Sequence, residues 1–191
     1  MRFNDSLIYG DKSKYYQALC FEDNNIEANE GYKKLGANPK LRVFPRYYDL
    51  FLVSAIYGFI IRSYTEVHDR NKSDNRVRIP QSVFTNNNQR FEALIRSISF
   101  IHLSERGFDK PFEKVIDDEY SKVTDTNRDS LRQEIIEGYA DAGVEHVYKS
   151  ILEDVEDEED VMSNIIDFVE SFKELEIKEL NSLDDIVDVL G

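Results

Sequence analysis

Tryptophan is absent from this chain, cysteine occurs once, and 191 residues include only eight glycines and four prolines. Without tryptophan, the core has to be built from aliphatic side chains, Phe and buried Tyr rings; the 12 Phe and 11 Tyr supply the aromatic share. The lone thiol, Cys20, excludes an internal disulfide framework and points to a reducing compartment. No catalytic context surrounds it, so it reads as a structural or incidental thiol. So few Gly and Pro exclude a linker-rich or loop-dominated protein. Long hydrophobic runs are lacking as well. No apolar stretch follows Met1, which predicts that there is no secretory signal. Leu50 to Ile61, the best membrane candidate, is interrupted by Ser54 and Gly58 and flanked by Asp49 and Arg62. It falls well short of the roughly 20 residues a bilayer span needs. The expectation is a cytoplasmic protein with no membrane contact.

Catalytic and cofactor signatures are missing too. There is no Gly-rich phosphate loop, nucleophile elbow or HExxH helix. His68, His102 and His146 have no close His, Cys or Asp partner at metal-ligand spacing, and the last two fall on apolar helix faces as core histidines do. Glu176-Ile-Lys178, with Asp167 upstream, matches the short half of the PD-(D/E)xK nuclease pattern. That chemistry needs a strand holding a metal, whereas these residues sit in a charged segment where the match arises by chance. The expectation is no catalytic residue, no metal, no cofactor and no enzyme.

What the chain does have is charge, unevenly placed. Residues 1–110 carry 17 Lys/Arg against 13 Asp/Glu, a net of +4. Residues 111–191 carry 7 against 25, a net of −18, which brings the whole chain to −14. The acids peak at Glu153, Asp154, Glu156, Asp157, Glu158, Glu159 and Asp160, broken only by Val155. This run lacks the Gly and the alternate-position ligands of a Ca²⁺ loop. It reads either as a solvated connector or as a docking surface for a basic protein partner. In the front half, Lys33, Lys34, Lys40, Arg42 and Arg46 lie among Tyr32, Phe44, Tyr47 and Tyr48. Basic groups interleaved with aromatics are candidate nucleic-acid contacts. Five charges are few, and the overall −14 opposes long-range attraction to DNA, so direct DNA binding is expected to be weak.

Hydrophobic periodicity predicts a mainly α fold: a single helical core over 45–152, an irregular N-terminal arm over 1–44 and an acidic helical tail over 153–191. A short helix is expected over Lys12 to Phe21, within the arm. Pro45 opens a helix reaching about Tyr64 that is apolar almost all round, as a central buried helix would be. Arg76-Val-Arg-Ile79 alternates like a short strand before Pro80. From Asn88 to Ser104, Phe91, Leu94, Ile95, Ile98, Ile101 and His102 share one face. A long helix starts near Thr126, with rows Leu131, Ile135, Tyr139, Ala142, His146 and Ile136, Ala140, Gly143, Val147, Ile151. Gly138 and Gly143 inside it each cost about 1 kcal/mol against Ala, a cost that close approach of a neighbouring helix would offset. The tail holds two amphipathic pieces, Val161 to Leu175 (Met162, Ile165, Ile166, Val169, Phe172) and Ser182 to Leu190.

Two strings carry a family resemblance. Tyr48-Asp-Leu-Phe-Leu52, with Ala55 and Gly58-Phe59, resembles a helix of small accessory proteins associated with bacterial DNA phosphorothioation, the Dnd-type phage-defence systems. Glu137-Gly-Tyr-Ala-Asp-Ala-Gly-Val-Glu145 is similar to a second helix of that family, and Phe91-Glu-Ala-Leu94 to a third. The likeness covers roughly residues 46–150. It implies an accessory role in modification-linked defence against foreign DNA, and it brings no catalytic residue with it.

The expected function is therefore that of a non-enzymatic adaptor in such a system. It would bind a protein partner with a basic surface through its acidic C-terminal half. The alternatives are an acidic DNA mimic that inhibits a nucleic-acid-binding protein and, further off, a metal-dependent nuclease on Glu176 and Lys178. The adaptor reading predicts that purified protein leaves duplex DNA intact with Mg²⁺ or Mn²⁺ present. Cleavage that disappears in Glu176→Ala and Lys178→Ala variants would sink it in favour of the nuclease.

Overall fold

The segment over residues 6–20 contributes to the core. Strand β1 (Ser6–Tyr9) runs directly into helix α1 (Gly10–Leu19). β1 pairs antiparallel with β2 (Arg76–Ile79), Ser6 opposite Ile79 and Tyr9 opposite Arg76. The alternation of β2 is the one its sequence predicts: Val77 and Ile79 are buried and Arg78 is exposed. In this computed structural model the described residues are 6–21, 42–66, 76–80, 89–116 and 128–173. The remaining elements are helix α2 (Tyr47–Ile60), helix α3 (Gln89–Glu105), the short helix α4 (Pro111–Val115), helix α5 (Arg128–Leu152) and a helix over residues 158–173, here α6. The fold is mainly helical.

Pro45 does not begin α2 but sets up its entry. A proline holds the residue before it extended, and Phe44 there forms a parallel bridge to Cys20. The N–H groups of Val43 and Phe44 donate to the Leu19 carbonyl at 3.0 and 2.9 Å, and the Phe21 N–H donates to the Phe44 carbonyl at 2.9 Å. Arg46 then precedes the first helical residue with extended backbone. Its guanidinium donates from Nε and Nη2 to the two Asp49 oxygens at 3.0 Å each. At the other end, Arg62 takes the left-handed φ of 58°. The Arg62 N–H donates to the Phe59 carbonyl at 3.1 Å and the Ser63 N–H to the Gly58 carbonyl at 2.8 Å. This hydrogen-bond pair closes a helix with a left-handed residue. It turns the chain so that the Thr65 N–H donates to the Gly138 carbonyl on α5, at 3.1 Å.

The centre of the molecule is α5 rather than α2. The all-round apolar pattern of residues 45–64 predicts full burial. Yet only Leu50, Phe51, Ser54, Ala55 and Gly58 of α2 are buried, while Leu52, Val53, Ile56, Tyr57, Phe59 and Ile60 are half-exposed. By contrast α5 touches α1, α2, α3, α4 and β1. Its residues Gly138 to Val144 are buried without a break. Small side chains decide this, because a helix with little bulk can be approached from several directions. A Cβ on Gly58 would lie 2.3 Å from the Tyr139 carbonyl oxygen, and one on Gly143 would lie 2.0 Å from the Ser54 carbonyl oxygen. The backbones of α2 and α5 thus meet directly, the close approach that the mid-helix glycines foretell.

Both flanks contribute to the same core. Tyr16, Ala18, Leu19 and Cys20 of the N-terminal segment are fully buried, and Val161 and Phe168 of α6 are buried in the same cluster. Phe168 and Phe172 stack on Tyr57 of α2, with centroids 4.9 and 5.2 Å away. On α3 the buried row is Phe91, Ile95, Ile98, Ser99, His102 and Leu103; Leu94 is exposed and Ile101 half-exposed, because this helix meets its neighbours along a narrower strip than its apolar face. Arg132 is 1% exposed, donating from Nε to the Val115 carbonyl at 2.8 Å and from Nη1 to Asp129 at 3.2 Å. That side chain ties α5 to the end of α4.

Two substitutions test this packing. Gly143→Ala raises intrinsic helix propensity, and at an exposed site it would stabilise by about 1 kcal/mol. Here the methyl must displace backbone, so reversible urea unfolding should show a loss of about 2–3 kcal/mol. Phe51→Ala should lose about 3–5 kcal/mol, the range for deleting a core Phe. A loss below about 1 kcal/mol in either variant would refute the corresponding contact.

Candidate functional site

The histidines separate once the chain is folded. His102 of α3 is 5% exposed, and its Nδ1 is hydrogen-bonded to the Tyr139 hydroxyl of α5 at 2.9 Å. Tyr64 stacks on both rings, with centroids 4.6 Å from His102 and 5.0 Å from Tyr139, and Phe59 meets Tyr139 edge-on at 5.4 Å. Arg106 lies over the Tyr64 ring at 4.6 Å and pairs with Glu66, while Arg62 pairs with Glu105. Burial, reinforced by the Arg106 charge, lowers the His102 pKa to about 4, and burial raises that of Tyr139. The imidazole is therefore neutral at physiological pH. Tyr139 is only 4% exposed, so the pair is out of reach of a substrate and acts as a cross-link between α3 and α5. His146, two helical turns past Tyr139 on α5, is exposed beside Tyr57, with a centroid separation of 6.5 Å. His68 lies outside the described residues.

The acidic run is a folded turn. α5 gives way to Asp154 at a φ of 59°, a left-handed position that Asp tolerates. Val155 follows, half-buried against the core. Asp157 caps α6: its Oδ1 accepts from the N–H groups of Glu159 and Asp160 at 2.9 and 3.0 Å. Asp160 reaches back, its Oδ2 accepting from the Glu156 N–H at 3.1 Å. Inside α6, the Asn164 side chain donates to the Ile151 carbonyl at 3.3 Å, holding the two helices together. Glu153, Asp154, Glu156, Asp157, Glu158, Glu159 and Asp160 are all exposed. Two of the seven carboxylates thus organise the turn, and those in the first turn of α6 also suit its helix dipole. The sequence reveals the charge but gives no sign of this reciprocal cap.

The basic candidates do not come together as a surface. Lys33, Lys34 and Lys40 lie outside the described residues, as do Glu176 and Lys178. Arg42 is buried, its guanidinium 6.0 Å from the Phe21 ring centroid. Arg46 is exposed but engaged with Asp49. Cys20 is buried and takes part in no disulfide. Among the described residues, no group of three or more His, Cys, Asp or Glu could hold a metal ion, and no helix is long and apolar enough to cross a membrane. Comparison with protein-family models, curated proteins and solved structures yields no match.

The low pKa of His102 sets a sign for acid stability. The unfolded imidazole takes up a proton near pH 6.5, and the folded one only near 4. Between those values the unfolded state binds more protons, so stability falls as pH drops through that window. The full difference is about 3 kcal/mol. Glu145, which accepts from Lys12 and Lys149 at 2.8 and 3.0 Å and has its pKa lowered to about 2, loses its contribution only at more acid pH. Urea unfolding of a His102→Gln variant should show a flatter profile between pH 6.5 and 4.5 than the parent. Parallel profiles would refute the assignment.

Proposed function

We propose that this protein is a non-enzymatic adaptor that holds a protein partner with a basic surface against the turn between α5 and α6. The observation that carries the reading is that turn: seven exposed carboxylates within eight residues, on backbone pinned by its own caps and by two packed helices. A flexible acidic linker would lose conformational entropy on docking. A preorganised turn avoids most of that loss and presents its charges in a constant arrangement. Charge of one sign on such a surface speeds encounter with the opposite sign and disfavours partners of like charge.

The resemblance to Dnd-associated accessory proteins would place the adaptor in a modification-linked anti-phage defence complex. Its two main strings supply the α2 and α5 faces that pack on each other, so they speak for a shared architecture more than for a shared site.

A photo-crosslinking residue at position 156, introduced in the native cells, tests the adaptor reading. It should capture a protein whose contacted peptide is rich in Lys and Arg, with a yield that falls as salt screens the charges over about 8 Å at physiological ionic strength. Changing Glu153, Glu156, Glu158 and Glu159 to Gln should slow association with that partner about tenfold or more. Crosslinks to nucleic acid, or an association rate unchanged by the four substitutions, would overturn the proposal. Displacement of the captured protein by duplex DNA would support the DNA-mimic alternative instead.

A further inference from the structure

The tail's apolar stripe is divided between two faces, and among the described residues only one of them has a partner. Val161, Ile165, Phe168 and Phe172 follow one another at intervals of four, three and four residues along α6 and pack into the core, Phe168 and Phe172 against Tyr57. Met162, Ile166 and Val169 are spaced by four and three residues, and so form a separate row along the helix. They are 60%, 52% and 48% exposed. Scattered exposed apolar residues are ordinary, but three consecutive members of one helical row are a stripe. The helix dipole accounts for acids in the first turn of α6, and the core accounts for the buried row. Neither accounts for this second row.

We infer that Met162, Ile166 and Val169 seat an amphipathic helix of the partner protein, whose apolar seam is flanked by Lys and Arg. The charge around the row selects that occupant. Glu158, Glu159 and Glu170 are exposed along the border of the row, and Lys173, four residues past Val169, ends it as the one charge of opposite sign. A second copy of this chain presenting the same face would set these acids against each other. The chain's own Ser182 to Leu190 segment carries Asp184, Asp185 and Asp188, so it is repelled in the same way. A helix with basic flanks satisfies both the row and its border. Its docking would be read out by anchors at i, i+4 and i+7 of one helix face. The inference rests on the adaptor reading and deepens it, dividing the surface into an apolar anchor on α6 and a steering charge at the turn.

The probe is a set of three 18-residue helical peptides: a Leu seam with Lys/Arg flanks, the same seam with Glu flanks, and an Ala seam with Lys/Arg flanks. Binding to the full chain is measured by fluorescence anisotropy at two salt concentrations. The first peptide should bind at least tenfold more tightly than the other two. A Met162→Gln, Ile166→Gln, Val169→Gln variant should lose at least tenfold in affinity for it, with circular dichroism and thermal unfolding unchanged because these side chains are outside the core. Equal binding by that variant, equal binding of the Ala-seam peptide, or binding of none of the three would overturn the inference. Self-association that the variant abolishes would name a second copy as the occupant and overturn it too. So would a gain in peptide affinity from Leu183→Gln with Ile186→Gln, which would name the chain's own segment. Crosslinking at position 156 that persists in the Met162, Ile166 and Val169 variant would leave the adaptor reading standing while removing this one.

Discussion

Everything in this molecule is arranged around a contact with no side chains in it. At Gly58 and Gly143 the backbones of α2 and α5 approach so closely that a methyl group on either would press into the carbonyl of the other helix. Glycine inside a helix is costly, and the cost is offset only if the approach brings larger surfaces together. It does so here. Phe59 reaches Tyr139, Tyr57 is placed to receive Phe168 and Phe172, and the chain leaving α2 lays Tyr64 over Gly138. The aromatic cluster and the seat of α6 both follow from that one separation.

The polar groups the fold buries act as cross-links between elements. His102 joins α3 to α5 through the Tyr139 hydroxyl, and Arg132 joins α5 to the carbonyl end of α4. A buried polar atom stabilises only when it is partnered, so each such link is also a constraint on register. For His102 that constraint has a pH dependence, because protonation would place a charge in a buried ring next to Arg106. These links tie α3 and α4 to α5.

The acids of that turn serve two ends. Asp157 and Asp160 satisfy backbone N–H groups that the start of α6 would otherwise leave open, and their neighbours face solvent on the turn so formed. A surface whose charges are held by the fold itself suits an adaptor, which needs a lasting geometry and no chemistry. In the proposed docking, the exposed row beside it on α6 would supply what charge alone does not, an apolar anchor.

The helical class, the strand at residues 76–79 and the close approach at the glycines were all legible from local pattern. Each depends on spacing along the chain: the period of a helix, the alternation of a strand, a costly residue in a helical run. The pairing of β1 with β2, the centrality of α5 over α2 and the His102–Tyr139 link join residues far apart in sequence, where periodicity carries no information. The same limit governs the candidate site. Composition alone located the acids between 153 and 160, because charge is a property of the residues themselves. Which carboxylates cap α6, and which of its apolar residues turn to the core and which to solvent, depended on where Tyr57 and the end of α5 came to lie. Periodicity marks a helix as amphipathic; only its neighbours in space decide how much of the apolar face is used.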